Sequence, residues 1–191
     1  MLSRKNKVIL LLVLIVTVAV AAQAGVLVIN LLTTNVNYTG APLKFEAGTN
    51  AGNNGINGTA ITVDIGHNGA TANLTFDVPP GTTYVIDALR IKNYGTSDLY
   101  FQFKTITAPD TTMFTNVSLI LLDTNGNIIG TYDVINGTSS LTYFTIGAGT
   151  EYIVAIKFVS SSGWTTGATT SFGVELQYST NANELNYGNL G

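Results

Sequence analysis

The chain has 191 residues, a formal net charge of −3, and 10% charged against 46% hydrophobic residues. That apolar fraction excludes a disordered chain, and the lack of any basic excess argues against nucleic acid, because no patch could neutralise several phosphates. The chain has no cysteine, which excludes both a disulfide framework and thiol chemistry.

Residues 1–24 read as a signal peptide. Arg4, Lys5 and Lys7 open it, residues 8–22 form an apolar run interrupted only by Thr17, and Ala22-Gln23-Ala24 supplies the small-x-small cleavage signal. The run is short for a bilayer span, which needs about 20 residues. Three of the eight basic residues lie in this leader, so the exported chain carries five against eleven acidic ones. If the leader stays attached, apolar character continues to Leu32 and a single long helix is the alternative, as in a membrane anchor or a type IV pilin.

Residues 25–34, GVLVINLLTT, follow the cleavage point. Val26, Leu27, Val28, Ile29, Leu31 and Leu32 surround a lone polar residue, Asn30, and a free N-terminus that apolar needs cover. It is either the first strand of its own domain or a donor strand that adds to an open sheet on the next molecule. Leu27, Ile29 and Leu31 form the phase free of Asn30, and burying them contributes about 6 kcal/mol. Ten extended residues reach about 33 Å, and a strand supplied in trans repeats head to tail without closing. The donor-strand reading is the one we carry forward.

The remainder, residues 35–178, is predicted to be one β-sandwich domain. Residues 35–58 read as a long Gly/Asn-rich surface loop interrupted by a short Leu43-Lys44-Phe45 segment. Period-two alternation then dominates: Ile61, Val63 and Ile65; Ala72, Leu74, Phe76 and Val78; residues 84–92 with Leu89 and Ile91 inward; Leu99, Phe101 and Phe103. Pro79-Pro80-Gly81 and Asn93-Tyr94-Gly95-Thr96 mark turns between them. Residues 118–122 read as a central strand, Asp123-Thr124-Asn125-Gly126 as a hairpin turn, and residues 128–134 as the return. Residues 141–146, 152–158 and 172–178 supply the last strands, Trp164 sits in a loop, and 179–191 is an Asn/Gly tail. Short strands, regular turn signals and no amphipathic helix after residue 34 predict an all-β fold, two antiparallel sheets in a jelly-roll-like sandwich.

Catalytic and metal constellations find little support. The single histidine, His67, lies beside glycines in Gly66-His67-Asn68-Gly69, and neither a zinc-binding His pair nor a Gly-x-Ser-x-Gly elbow is present. Asp123-Thr124-Asn125-Gly126-Asn127 begins like a calcium loop, but Ile128 and Val134 occupy the positions that need Gly and Glu. Asp64, Asp77 and Glu175 fall on the outward phase of their strands. No enzyme, cofactor or metal is expected. Five sequons, at Asn37, Asn57, Asn73, Asn116 and Asn136, make N-linked glycans an expectation.

Residues 72–81, ANLTFDVPPG, and 89–100, LRIKNYGTSDLY, resemble the TasA/camelysin family, where a Pro-Gly turn leads to a strand ending in Asn-x-Gly. The plan of export signal plus sandwich resembles more closely the archaeal bundling pili and thread filaments. The likeness spans most of residues 25–178. It implies a jelly-roll subunit whose N-terminal strand inserts into an identical neighbour, giving secreted cell-surface filaments that bundle laterally in biofilms. Camelysin has been described as a metalloprotease; this sequence lacks a histidine metal motif, and that activity is not carried over. Two other readings compete: a pilin or anchored surface protein with a helical N-terminus, and a secreted carbohydrate-binding module using Trp164 and nearby tyrosines. Mass spectrometry of the exported protein should find Gly25 as its first residue; a retained leader would favour the helical alternative.

Overall fold

The computed structural model describes residues 41–52, 61–76, 78–164 and 170–185. Eleven strands occur among them: β1 (Leu43–Ala47), β2 (Ile61–Gly66), β3 (Thr71–Phe76), β4 (Thr82–Asn93), β5 (Leu99–Thr107), β6 (Phe114–Leu122), β7 (Ile128–Asp133), β8 (Thr138–Ser139), β9 (Phe144–Ile146), β10 (Glu151–Ser160) and β11 (Thr170–Ser179). One sheet has the order β1-β4-β10-β6-β7-β8 and the other β2-β3-β11-β5-β9. Every neighbouring pair is antiparallel. The two sheets pack face to face as the all-β sandwich that the alternation predicts.

The alternating apolar residues face the space between the sheets. Leu74 and Phe76 from β3, Leu89 and Ile91 from β4, and Val154, Ile156 and Phe158 from β10 are fully buried. Aromatic rings join the sheets at both ends of the core. At one end Phe76 of the five-stranded sheet lies 4.2 Å from Phe158 and 5.5 Å from Phe114, both of the six-stranded sheet. At the other, Phe103 lies 5.3 Å from Tyr132 and 6.2 Å from Phe45 across the same gap. The turns take the conformations their residues favour: Gly81 (φ +108°) and Gly126 (φ +85°) both adopt the left-handed region.

Four expectations are corrected. Leu43-Lys44-Phe45, expected as a short segment interrupting a surface loop, opens the longer strand β1, which pairs in register with residues 89–93 of β4, because β4 offers a rim and Leu43 and Phe45 bring two core side chains to it. Residues 141–146 are not one strand. β8 pairs with β7 in one sheet and β9 with β5 in the other, so the chain changes sheet between them, leaving Leu141 45% exposed. β6 begins at Phe114 rather than Ser118, since Phe114 joins the aromatic core. Part of the 179–191 tail also has structure: α1 (Ala182–Leu185) buries Leu185, whose carbonyl accepts a hydrogen bond from Gln102 Nε2 at 3.2 Å.

Phe45→Ala should therefore destabilise the protein by about 3–5 kcal/mol, as a core residue would. Ile128→Ala, at a side chain 68% exposed, should change stability by less than about 0.5 kcal/mol; urea denaturation measures both.

Candidate assembly surface

A rim strand presents backbone N–H and C=O groups that another strand can pair. In an extended antiparallel strand the two groups of one residue point the same way and those of the next residue the opposite way. Two hydrogen bonds establish that phase for β2. Leu176 N–H donates to Ala70 O at 2.8 Å, so β3 turns Ala72, Leu74 and Phe76 towards β11 and its odd residues towards β2. Gly52 N–H donates to Ile61 O at 2.7 Å from the opposite side of β2. Thr62, Asp64 and Gly66 therefore pair with β3, while Ile61, Val63 and Ile65 direct their backbone groups to the rim. Their side chains face the core, yet those of Val63 and Ile65 are only half-buried. Among the described residues, Gly52 is the only backbone partner on that side of β2.

The other rims are closed in three different ways. On β1 the core-facing Leu43 and Phe45 are already 0% and 2% exposed, so a further strand would bury little there. At the far side of the five-stranded sheet, beyond β9, Thr105 N–H donates to Tyr132 Oη at 2.8 Å and the Thr105 hydroxyl to Val134 O at 2.9 Å. On β7, Ser140 holds both backbone groups of Thr131, donating its N–H to the carbonyl and accepting the Thr131 N–H through its hydroxyl.

Pairing between β1 and β4 ends in a polar knot. Ile86, Asp87 and Ala88 bulge from β4 opposite Ala155, and Asp87 takes a left-handed φ of +59°. Both oxygens of its carboxylate accept from Arg90, each at 2.7 Å, and the Thr49 hydroxyl donates to it as well. Arg90 also donates to Glu151 at 2.8 Å. The Arg90 guanidinium holds the Asp87 carboxyl at about 2, below its ordinary 3.8, against the opposing effect of burial.

The outer faces of the two sheets differ. On the five-stranded sheet Thr62, Asp64, Asn73, Thr75, Lys104 and Gln177 point outward, together with Tyr100 and Ile106, the latter 46% exposed. On the six-stranded sheet Tyr84, Ile86, Ile120, Leu122, Ile153 and Ala155 share the outer face with the charged Lys44, Glu46, Arg90, Lys92, Glu151 and Lys157.

The donor-strand residues Val26, Leu27, Val28, Ile29, Leu31 and Leu32, the sequon residues Asn37 and Asn57, and Asp77 lie outside the described residues. Asn73 is exposed on β3, and its side-chain oxygen lies so close over Gly173 that a Cβ there would stand 2.6 Å from it. Asn116 and Asn136 come together, each pointing its Nδ2, the atom that would carry a glycan, at Asp133: at 3.5 Å from half-buried Asn116 and 2.7 Å from exposed Asn136. Sequence spacing did not bring these two sequons together; the β6–β7 register does.

His67 lies in the turn between β2 and β3, 3.3 Å from the Thr71 hydroxyl. Asp123 folds back on its own hairpin, accepting from Asn125 N–H and the Asn127 side chain, and these bonds lower its carboxyl. Among the described residues no three His, Asp or Glu side chains converge. Trp164 is not an exposed platform. It is half-buried, its ring 5.5 Å from Phe114, because the loop after β10 folds onto the aromatic core.

No family model matches the chain, and no curated protein matches it. Among solved structures it is similar to a crystal structure of accessory secretory proteins 1, 2 and 3 of Streptococcus pneumoniae (13% identity, TM-score 0.30, 74% of this chain and 98% of that one). It is also similar to an arabinose-bound α-L-arabinofuranosidase (15% identity, TM-score 0.26, 63% of this chain and 22% of that one). A third is the enzymatically active domain of tailspike protein 4 from bacteriophage CBA120 (17%, TM-score 0.19, 74% and 18%).

The Asp87 carboxylate is depressed in the folded state, so its stabilisation is present above its unfolded value of 3.8 and is lost as pH falls towards 2. That contribution is roughly 2 kcal/mol. Asp87→Asn, which tolerates a left-handed φ, should lower stability at pH 6 by about that amount and flatten its fall between pH 4 and 2 in urea titrations.

Proposed function

We propose that this chain is the structural subunit of a secreted, cell-surface filament, polymerising head to tail by donating residues 26–32 to an identical neighbour. One observation carries the reading: a seven-residue stretch with a single polar member follows a segment that reads as an export leader, and among the described residues the sandwich behind it keeps an incompletely covered rim at β2. A donor and an acceptor on one chain make an interface that repeats without closing.

Magnitudes support the reading and limit it. Three inward side chains contribute about 6 kcal/mol, and a few backbone hydrogen bonds add roughly 1 kcal/mol each. Association costs on the order of 4–15 kcal/mol. A lone strand is thus close to break-even, and a durable filament also needs contact between the subunit bodies. We assign lateral bundling to the outer face of the six-stranded sheet, where Ile120, Leu122 and Ile153 form a half-buried apolar strip. Glycans at Asn116 or Asn136 would sit near the β6–β7 pair, away from β2, whereas one at Asn73 would stand beside Asp64 of β2. The resemblance to bundling pilus and thread subunits points the same way.

Deleting residues 26–32 should leave a sandwich with a cooperative melting transition that forms no fibres by negative-stain electron microscopy. Fibres of normal length from the deletion would overturn the reading.

A further inference from the structure

We infer that β2 is the acceptor: residues 26–32 of a neighbouring copy pair along residues 62–66, beyond the Ile61 carbonyl that Gly52 holds, and seat Leu27, Ile29 and Leu31 over Val63 and Ile65. This rests on the filament reading and adds where the strand goes.

Three features of the rim select this occupant. The residues that offer backbone groups unpaired among the described residues, Val63 and Ile65, also have half-exposed side chains facing the core, so one added strand satisfies both deficits at once. The donor's seven residues are enough to run along the rest of β2 beyond Ile61, whose carbonyl Gly52 already holds. Its phase matches as well: with Leu27, Ile29 and Leu31 inward, Asn30 falls on the outer face beside the exposed Thr62 and Asp64. The other rims lack this combination. β1 has no uncovered core side chain, β5 spends Thr105 on Tyr132, and β7 spends Thr131 on Ser140. Residues 33–40, which join the donor to Ala41, span at most about 29 Å, enough to leave the parent molecule.

Because the chain has no cysteine, engineered pairs report the contact without background. Full-length protein carrying Asn30→Cys with Thr62→Cys or Asp64→Cys, all at outward positions, is assembled, oxidised and run on a non-reducing gel. Asn30→Cys paired with Glu46→Cys, Lys104→Cys or Thr131→Cys samples the other rims. The expected result is a covalent ladder from the Thr62 or Asp64 partner, the better of the two giving the register, and at least tenfold less from the other three. Filaments that ladder only through Glu46, Lys104 or Thr131 overturn the β2 assignment and leave the filament reading standing. A bond confined to the monomer band means the strand lies in its own molecule and overturns both. Unmodified protein that makes no filaments removes the filament reading itself.

Discussion

No disulfide joins the two sheets, so their relative position depends on interdigitated side chains, aromatic ones above all. Phe76 of one sheet, with Phe172 packed beside it, meets Phe114 and Phe158 of the other, and a slip of one residue in any of these strands would turn its ring to solvent. Packing of this kind sets register but is not directional. Direction comes from Asn93, fully buried at the end of β4, whose Nδ2 reaches the carbonyls of Ser97, Ile146 and Gly147 while its oxygen accepts from Gly95 N–H. The Asn-x-Gly element that carries the family resemblance is thus a structural pin between β4 and the end of β9.

The same sandwich has to dispose of its rims. β1 ends where it does because Gly48 passes against the bulge in β4: a Cβ at Gly48 would stand 2.0 Å from the Asp87 carbonyl oxygen. From there Asn50 takes over, its N–H donating to Asp87 O and its side chain to Ile86 O. Tyr132 and Ser140 do the equivalent work elsewhere with a hydroxyl in place of a strand. Side-chain plugs satisfy backbone groups but bury little apolar surface. β2 stands apart because its deficit is of both kinds.

Two sequons, at Asn116 and Asn136, converge on Asp133 of β7. Any sugar there would stand at one end of the outer face of the six-stranded sheet, two strands from Ala155 by the pairing of β7, β6 and β10.

Fold class was legible in the sequence because period-two alternation is a property of each strand taken alone, and Pro79-Pro80-Gly81 and Asp123-Thr124-Asn125-Gly126 announce their turns locally. The donor-strand reading of residues 26–32 likewise comes from local apolar character alone, and those residues lie outside the described ones. What the tertiary structure decided is relational. Leu43 and Phe45 are too few to show a period and became a strand only because β4 had a rim to offer. Residues 138–146 divided between two sheets because each end found a different neighbour. Asp87, inward by strict alternation, escaped the core through a bulge paired with Arg90. Which rim stays open follows from hydrogen bonds made by Gly52, Tyr132 and Ser140 to strands distant in the chain, and no local pattern encodes that difference.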